Sequence, residues 1–180
     1  FVLVQFTYAQ VSFALPLTTI ARLGERGTEA YGWIMAANAG IVLALAPPLT
    51  ALTRRWNAVT AIALTAALYL VGFGALVFVR TLPLLFLTAL VWTTGEVLMA
   101  IHINVFVSQR APRHLRGRYL SALRAVFATG KILAPAVGGV IVELWSVDAV
   151  WVVTSTLCGL AIGAFMLVRR HTAGDPLPKP

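Results

Sequence analysis

The chain has 180 residues, of which 59% are apolar and only 11% charged, with a mean hydropathy of +0.87. Soluble domains average about half apolar and a quarter charged residues, so this composition excludes an ordinary soluble domain and indicates an integral membrane protein. The net charge of +8 does not point to nucleic acid, because the basic residues sit in short loops between apolar runs, and the single Cys158, inside an apolar run, excludes a disulfide framework or a Cys/His metal site.

The first apolar run, 2–21, carries Gln5, Tyr8, Gln10 and an internal Pro16. It begins at the first residue, with no methionine and no basic leader, and reads as part of a longer polypeptide or as a chain trimmed at its start. Amides at membrane depth face a bundle interior or a cavity, as interhelical hydrogen bonds or as ligand contacts. Five residues apart, Gln5 and Gln10 are offset by about 140° on a regular helix and are not expected to share one narrow face. Pro16 is expected to kink the run and leave carbonyls free.

A loop at 21–30 mixes Arg22 and Arg26 with Glu25 and Glu29, and a second span follows at 31–52 with Asn38 and the tandem Pro47-Pro48. Arg54 and Arg55 close it. The third span, 57–79, offers no chemistry and reads as scaffold; Arg80 and Pro83 mark the turn into the fourth. The fourth and fifth spans, 84–107 and 119–145, each exceed the ~20 residues that cross a bilayer. Between them lie Arg110, Arg113, Arg116 and Arg118, and this loop must lie in water. A sixth span, 149–168, carries Gly159 and Gly163 in GxxxG spacing, which favours close helix packing. Arg169 and Arg170 end it, and the proline-rich 171–180 is expected to be a disordered cytoplasmic tail.

Glu96 and Lys131 each lie twelve residues into a span, roughly 18 Å from its start, and so near mid-membrane. An ionised side chain there costs about 2.5–3.5 kcal/mol on insertion scales. Glu96 is the proton-coupling candidate, because a desolvated carboxyl can load and release protons; the structural alternative is a helix-to-helix hydrogen bond or ion pair that fixes packing. Lys131 is the candidate intramembrane charge partner of Glu96, or stays charged toward a cavity, or binds an anionic substrate group. His102, six residues after Glu96, points about 120° away and reads as packing or headgroup contact near the cytoplasmic end, with a proton relay as the alternative.

Arg54, Arg55, Arg110, Arg113, Arg116, Arg118, Arg169 and Arg170 fall on one side of a six-span arrangement, against Arg22, Arg26 and Arg80 on the other. The basic side is cytoplasmic by the positive-inside rule, so both ends are expected in the cytoplasm of a multi-pass protein of the plasma or inner membrane. The arginine loop is expected to set topology and touch anionic lipid, or to act in gating. No Ser/His/Asp arrangement, HExxH site or phosphate-cradling glycine loop points to an enzyme.

Several stretches together resemble the C-terminal six-helix half of a major facilitator superfamily transporter, in particular of its drug:proton antiporter branch. They are Leu15-Pro16-Leu17 after Gln10, Tyr31-Gly32 followed by Ala37-Asn38, PLTALTRR at 48–55, TTGE at 93–96, APRHLRGRY at 111–119, and GKILAPAVGG at 130–139, which is similar to the glycine-proline signature of antiporters. Lys131 departs from that pattern, where a small or apolar residue is usual. The resemblance implies an all-α bundle of six transmembrane helices built as two three-helix inverted repeats, half of a twelve-helix carrier. It implies that the first and fourth spans line a cavity, with Gln5, Gln10, Trp92, Glu96 and Asn104 near the transport path. The second and fifth would meet a missing N-terminal six-helix half, and the third and sixth would face lipid. The function implied is efflux of small amphipathic compounds by alternating access, with no cofactor and a proton gradient as energy source. A metabolite or sugar-type carrier is the alternative within transport, and a non-transporting scaffold or transporter relic is the alternative outside it.

Overall fold

The computed structural model describes residues 2–172, without the side chains of Val2, Arg110 and residues 167–172. The described residues form α-helices α1 (Val2–Ala9), α2 (Val11–Leu23), α3 (Gly27–Thr53), α4 (Ala58–Ala75), α5 (Leu82–Arg110), α6 (Arg116–Leu144) and α7 (Val147–Thr172), with 3-10 turns at Gly24–Arg26 and Arg113–Leu115. No strand occurs among them. The expected tail from residue 173 onward lies outside the described residues.

Local chemistry sets these helices. The Asn57 side chain accepts from the Val59 N–H at 2.8 Å and caps α4, and Ser146 accepts from the Ala149 N–H at 3.2 Å at the start of α7. Pro83 sits in the first turn of α5, where no N–H is needed. Hydroxyls in the apolar interiors satisfy themselves on the preceding turn, as Thr18 does on Ala14 at 2.8 Å and Thr53 on Leu49 at 2.7 Å. Pro16, Pro47, Pro48 and Pro135 all lie inside helices that continue past them, each removing one backbone donor.

The division into spans differs from the expected six. Five stretches are long and apolar enough to cross a membrane: Val11–Thr53, Ala58–Ala75, Leu82–Gln109, Arg113–Leu144 and Val147–Met166. The expected first span is interrupted at Gln10, whose N–H bonds to the Thr7 carbonyl at 3.3 Å, and α1 alone is short. The expected loop at 21–30 is largely helical, so α2 runs into α3 through a single 3-10 turn and the stretch reads as one piece of 43 residues. The chain nevertheless reverses there, and α2 packs along α3. Gly24 supplies a φ of +59°, and a Cβ on Gly27 would fall 2.4 Å from the Ile20 Cα, so only glycine lets α3 start against the end of α2. At the arginine loop, Arg116 and Arg118 belong to the first turns of α6, which leaves only residues 111–115 between α5 and α6.

Helix α4 packs most extensively, on α5 and α7; α3 packs on α5, and α1 lies against α6 and α7. The core between α1, α4, α5 and α7 is aromatic: Tyr8 stacks on Tyr69 at 5.8 Å, and Phe73 lies 6.2 Å from Trp92 and 5.7 Å from Trp151. Glycines let α4 and α5 approach this closely, since a Cβ on Gly72 would meet Trp92 at 3.0 Å and one on Gly95 would meet Tyr69 at 2.9 Å. The GxxxG pair of α7 is not used in this way. A Cβ on Gly159 or Gly163 would meet nothing within 4 Å, so the close packing expected of that spacing is absent within the described residues.

Candidate functional site

Three helices meet at Glu96. From α3, the Asn38 amide donates to Glu96 Oε2 at 2.9 Å and to Thr93 Oγ1 at 2.8 Å. From α1, the Tyr8 side chain lies beside the same carboxylate. Glu96 itself is half-buried on α5, one turn beyond Thr93. The two hydrogens of one amide are thus shared between a hydroxyl and a carboxylate, and a phenol completes the shell. All of these donors are neutral. The ion pairs among the described residues go elsewhere, both to Asp148.

Lys131 is exposed on α6 and makes no ion pair with Glu96. Helix α1 explains the separation, because Tyr8 faces Glu96 on one side while Gln5 and Gln10 face α6 on the other. A Cβ on Gly130 would lie 3.7 Å from Gln5, the Gln10 amide donates to the Ala134 carbonyl at 3.1 Å, and a Cβ on Gly138 would fall 2.6 Å from Gln10 Oε1. Gly130, Ala134 and Gly138 recur every four residues and form the buried stripe of α6. The two glutamines therefore share the α6 side, contrary to the offset expected on a regular helix. The helix is interrupted between them, where the Gln10 N–H bonds to the Thr7 carbonyl at 3.3 Å, so the regular-helix offset does not apply across the break.

The remaining path candidates divide. Gln5 is buried, and Gln10 is fully buried with its Oε1 unpartnered. Trp92 is 1% exposed inside the aromatic core, where it supports the Glu96 region from behind and faces no open space. Asn104 is exposed near the arginine-rich end of α5. Arg113, Arg116 and Arg118 are exposed, and the Arg110 side chain lies outside the description.

Sequence reasoning passed over Asn38 and Tyr8 as members of the site. The signal was present, since Asn38 is the only amide in the second span, but which face meets Glu96 depends on how α3 packs on α5. It also passed over two polar links. His102, buried on α5, is joined through Nε2 to Thr53 Oγ1 at 2.9 Å. The Thr53 hydrogen goes to Leu49, so the imidazole Nε2 is the donor. Asp148 in the first turn of α7 takes Arg22 from α2 at 2.5 Å and Arg80 at 3.1 Å. Among the described residues no three His, Cys, Asp or Glu are grouped to hold a metal ion.

With neutral donors around an acid, the site can hold an ionised carboxylate without a counter-cation. A carboxyl at this place can accept from Asn38 at one oxygen and donate from the other when it carries a proton.

Residues 1–180 match the family model described as Major Facilitator Superfamily. Among curated proteins of Bacillus subtilis (strain 168), the uncharacterized MFS-type transporter YqjV is 26% identical over 158 residues, which cover 87% of this chain and 38% of the relative. YhjO, of the same description, is 28% identical over 116 residues, 64% of this chain and 29% of its own. For YttB the identity is 23% over 131 residues, 71% and 33% respectively. The chain thus matches about a third of the length of these relatives, and no solved structure matches it. With helices long and apolar enough to cross a membrane and a family match over residues 1–180, this is an integral membrane protein, and the chain belongs to the Major Facilitator Superfamily.

Proposed function

We propose that the chain forms the C-terminal half of a proton-coupled exporter of small amphipathic compounds that works by alternating access against an N-terminal half. Glu96 is the group that loads and releases the proton in this reading. The observation that carries it is the shell of Glu96: a carboxyl deep in an apolar helix, bonded by Asn38 of α3 and flanked by Tyr8 of α1, with no ion pair to it among the described residues. A structural ion pair would carry its counter-charge. An acid surrounded by neutral donors is suited to exist in both protonation states, because neither state leaves an opposite charge stranded. The inner or plasma membrane, with both ends cytoplasmic, is the location that the arginine distribution supports.

The test is Glu96→Gln in the full-length carrier, assayed for ethidium efflux from vesicles under an imposed proton gradient. Glutamine keeps the size and accepts from Asn38 but cannot titrate. Gradient-driven efflux is expected to fall about a hundredfold, within the range attributed to general acid–base groups, while folded yield is unchanged. Wild-type efflux that persists after addition of an uncoupler would remove proton coupling and favour a facilitated metabolite carrier. Gradient-driven efflux intact in Glu96→Gln would move the proton site elsewhere.

A further inference from the structure

Lys131 is an intramembrane cation for which the described residues supply no anion. It lies fifteen residues into α6, about 22 Å from the helix start, far from either end of the span. Its neighbour Gly130 packs on Gln5 and Phe6 of α1, and Tyr8 a few residues on reaches Glu96, so the two opposite charges sit at similar depth with α1 between them. Arg124, seven residues earlier, occupies the same side of α6 and is also exposed. The acidic side chains among the described residues are engaged or remote: Asp148 holds Arg22 and Arg80, Glu29 accepts from Trp33, Glu96 is bonded by Asn38, Glu25 lies in the turn before α3, and Glu143 lies twelve residues, about 18 Å, farther along α6. Snorkelling serves a lysine within a turn or two of an interface and does not serve one at this depth.

We propose that Lys131 is a docking point for a carboxylate of the N-terminal half, an Asp or Glu on the transmembrane helix that lies over α6. The occupant follows from charge complementarity and from length. The curated relatives extend well beyond the matched region, with 62% of YqjV outside it by difference from the 38% matched. A cation that must be compensated in every state of the carrier, loaded or empty, needs a permanent partner; a transient anionic cargo leaves it bare for part of each cycle. The pair joins the halves at membrane depth, apart from the Glu96 proton site. This inference rests on the reading of the chain as one half of a carrier.

Charge reversal in the full-length protein tests it. Lys131→Glu is expected to lower ethidium efflux about tenfold or more, and replacing one Asp or Glu in the N-terminal spans by Lys in that background is expected to restore it to within about threefold. Where Lys131→Glu fails to fold, the yield of monodisperse carrier replaces flux as the readout, with the same rescue expected. Failure of every reversal to rescue, or wild-type transport and yield for Lys131→Met, overturns the pair, and in the first case an anionic cargo becomes the occupant to pursue. A native polypeptide of only this length removes the two-half reading and the pair together, whereas active transport by a longer carrier without rescue removes the pair alone.

Discussion

Removing the charge of Asp148 leaves the guanidinium of Arg22 in place with nothing to compensate it. The Arg22 side chain is 5% exposed and its Nη1 already lacks a partner, whereas Asp148 is 37% exposed and Arg80 more so. A fully buried pair broken on one side costs about 3–5 kcal/mol, and partial solvation of Asp148 lowers this to about 2 kcal/mol for Asp148→Asn. Almost all of that belongs to Arg22, since a pair with exposed Arg80 contributes little. Thermal unfolding in detergent is expected to show the loss, with Arg22→Leu in the Asp148→Asn background recovering most of it and Arg80→Leu recovering none. A melting temperature for Asp148→Asn equal to wild type contradicts this assignment. Nothing in the residue pattern announced the contact: Arg22 and Asp148 are 126 positions apart, and they meet only because α2 and α7 are neighbours.

The interface of α1 and α2 with α6 is governed by side chains that are absent. A methyl on Gly138 would stand 2.6 Å from both Gln10 Oε1 and the Phe13 ring, and Gln10, with 0% exposure, has no space into which to withdraw. Gly138→Ala therefore gains up to about 1 kcal/mol of helix propensity and loses about 1–3 kcal/mol to overpacking, a net destabilisation. Gly159→Ala on α7 meets nothing within 4 Å and gains the propensity alone, so the two variants are expected to shift the melting temperature in opposite directions. Equal shifts would mean that α6 does not approach α1 as described. The glycine-proline stretch at 130–139 was readable as a motif, and its four-residue period as a stripe. That both Gln5 and Gln10 meet it was not readable, because the wheel argument assumes an unbroken helix, whereas the helix breaks at Gln10, whose amide bonds to the Ala134 carbonyl.

At the scale of the molecule, the apolar runs were legible because bilayer thickness acts on composition, which a single sequence displays. The encirclement of Glu96 was half legible. The acid stands out against its surroundings, but its partners Asn38 and Tyr8 are chosen by how α3 and α1 settle on α5. Span counting was less secure, because the 3-10 turn at Gly24–Arg26 carries helix almost without interruption from α2 into α3. Topology then depends on whether that turn crosses to the face opposite the arginine loop. The reversal of the chain at Gly24 and Gly27 argues that α2 and α3 are separate crossings; with the arginine loop on the cytoplasmic side, as proposed, Glu25 is expected outside and His114 inside the cell. Both residues are exposed, and the native Cys158 is buried, so cysteines introduced singly at each report their own side. An impermeant maleimide is expected to label Glu25→Cys in intact cells and His114→Cys only after permeabilisation. The reverse pattern would invert the molecule. Labelling of both from outside would mean an even number of crossings between them and take one away from α3, α4 or α5, whereas no labelling of Glu25→Cys under either condition would make Val11–Thr53 a single bent element.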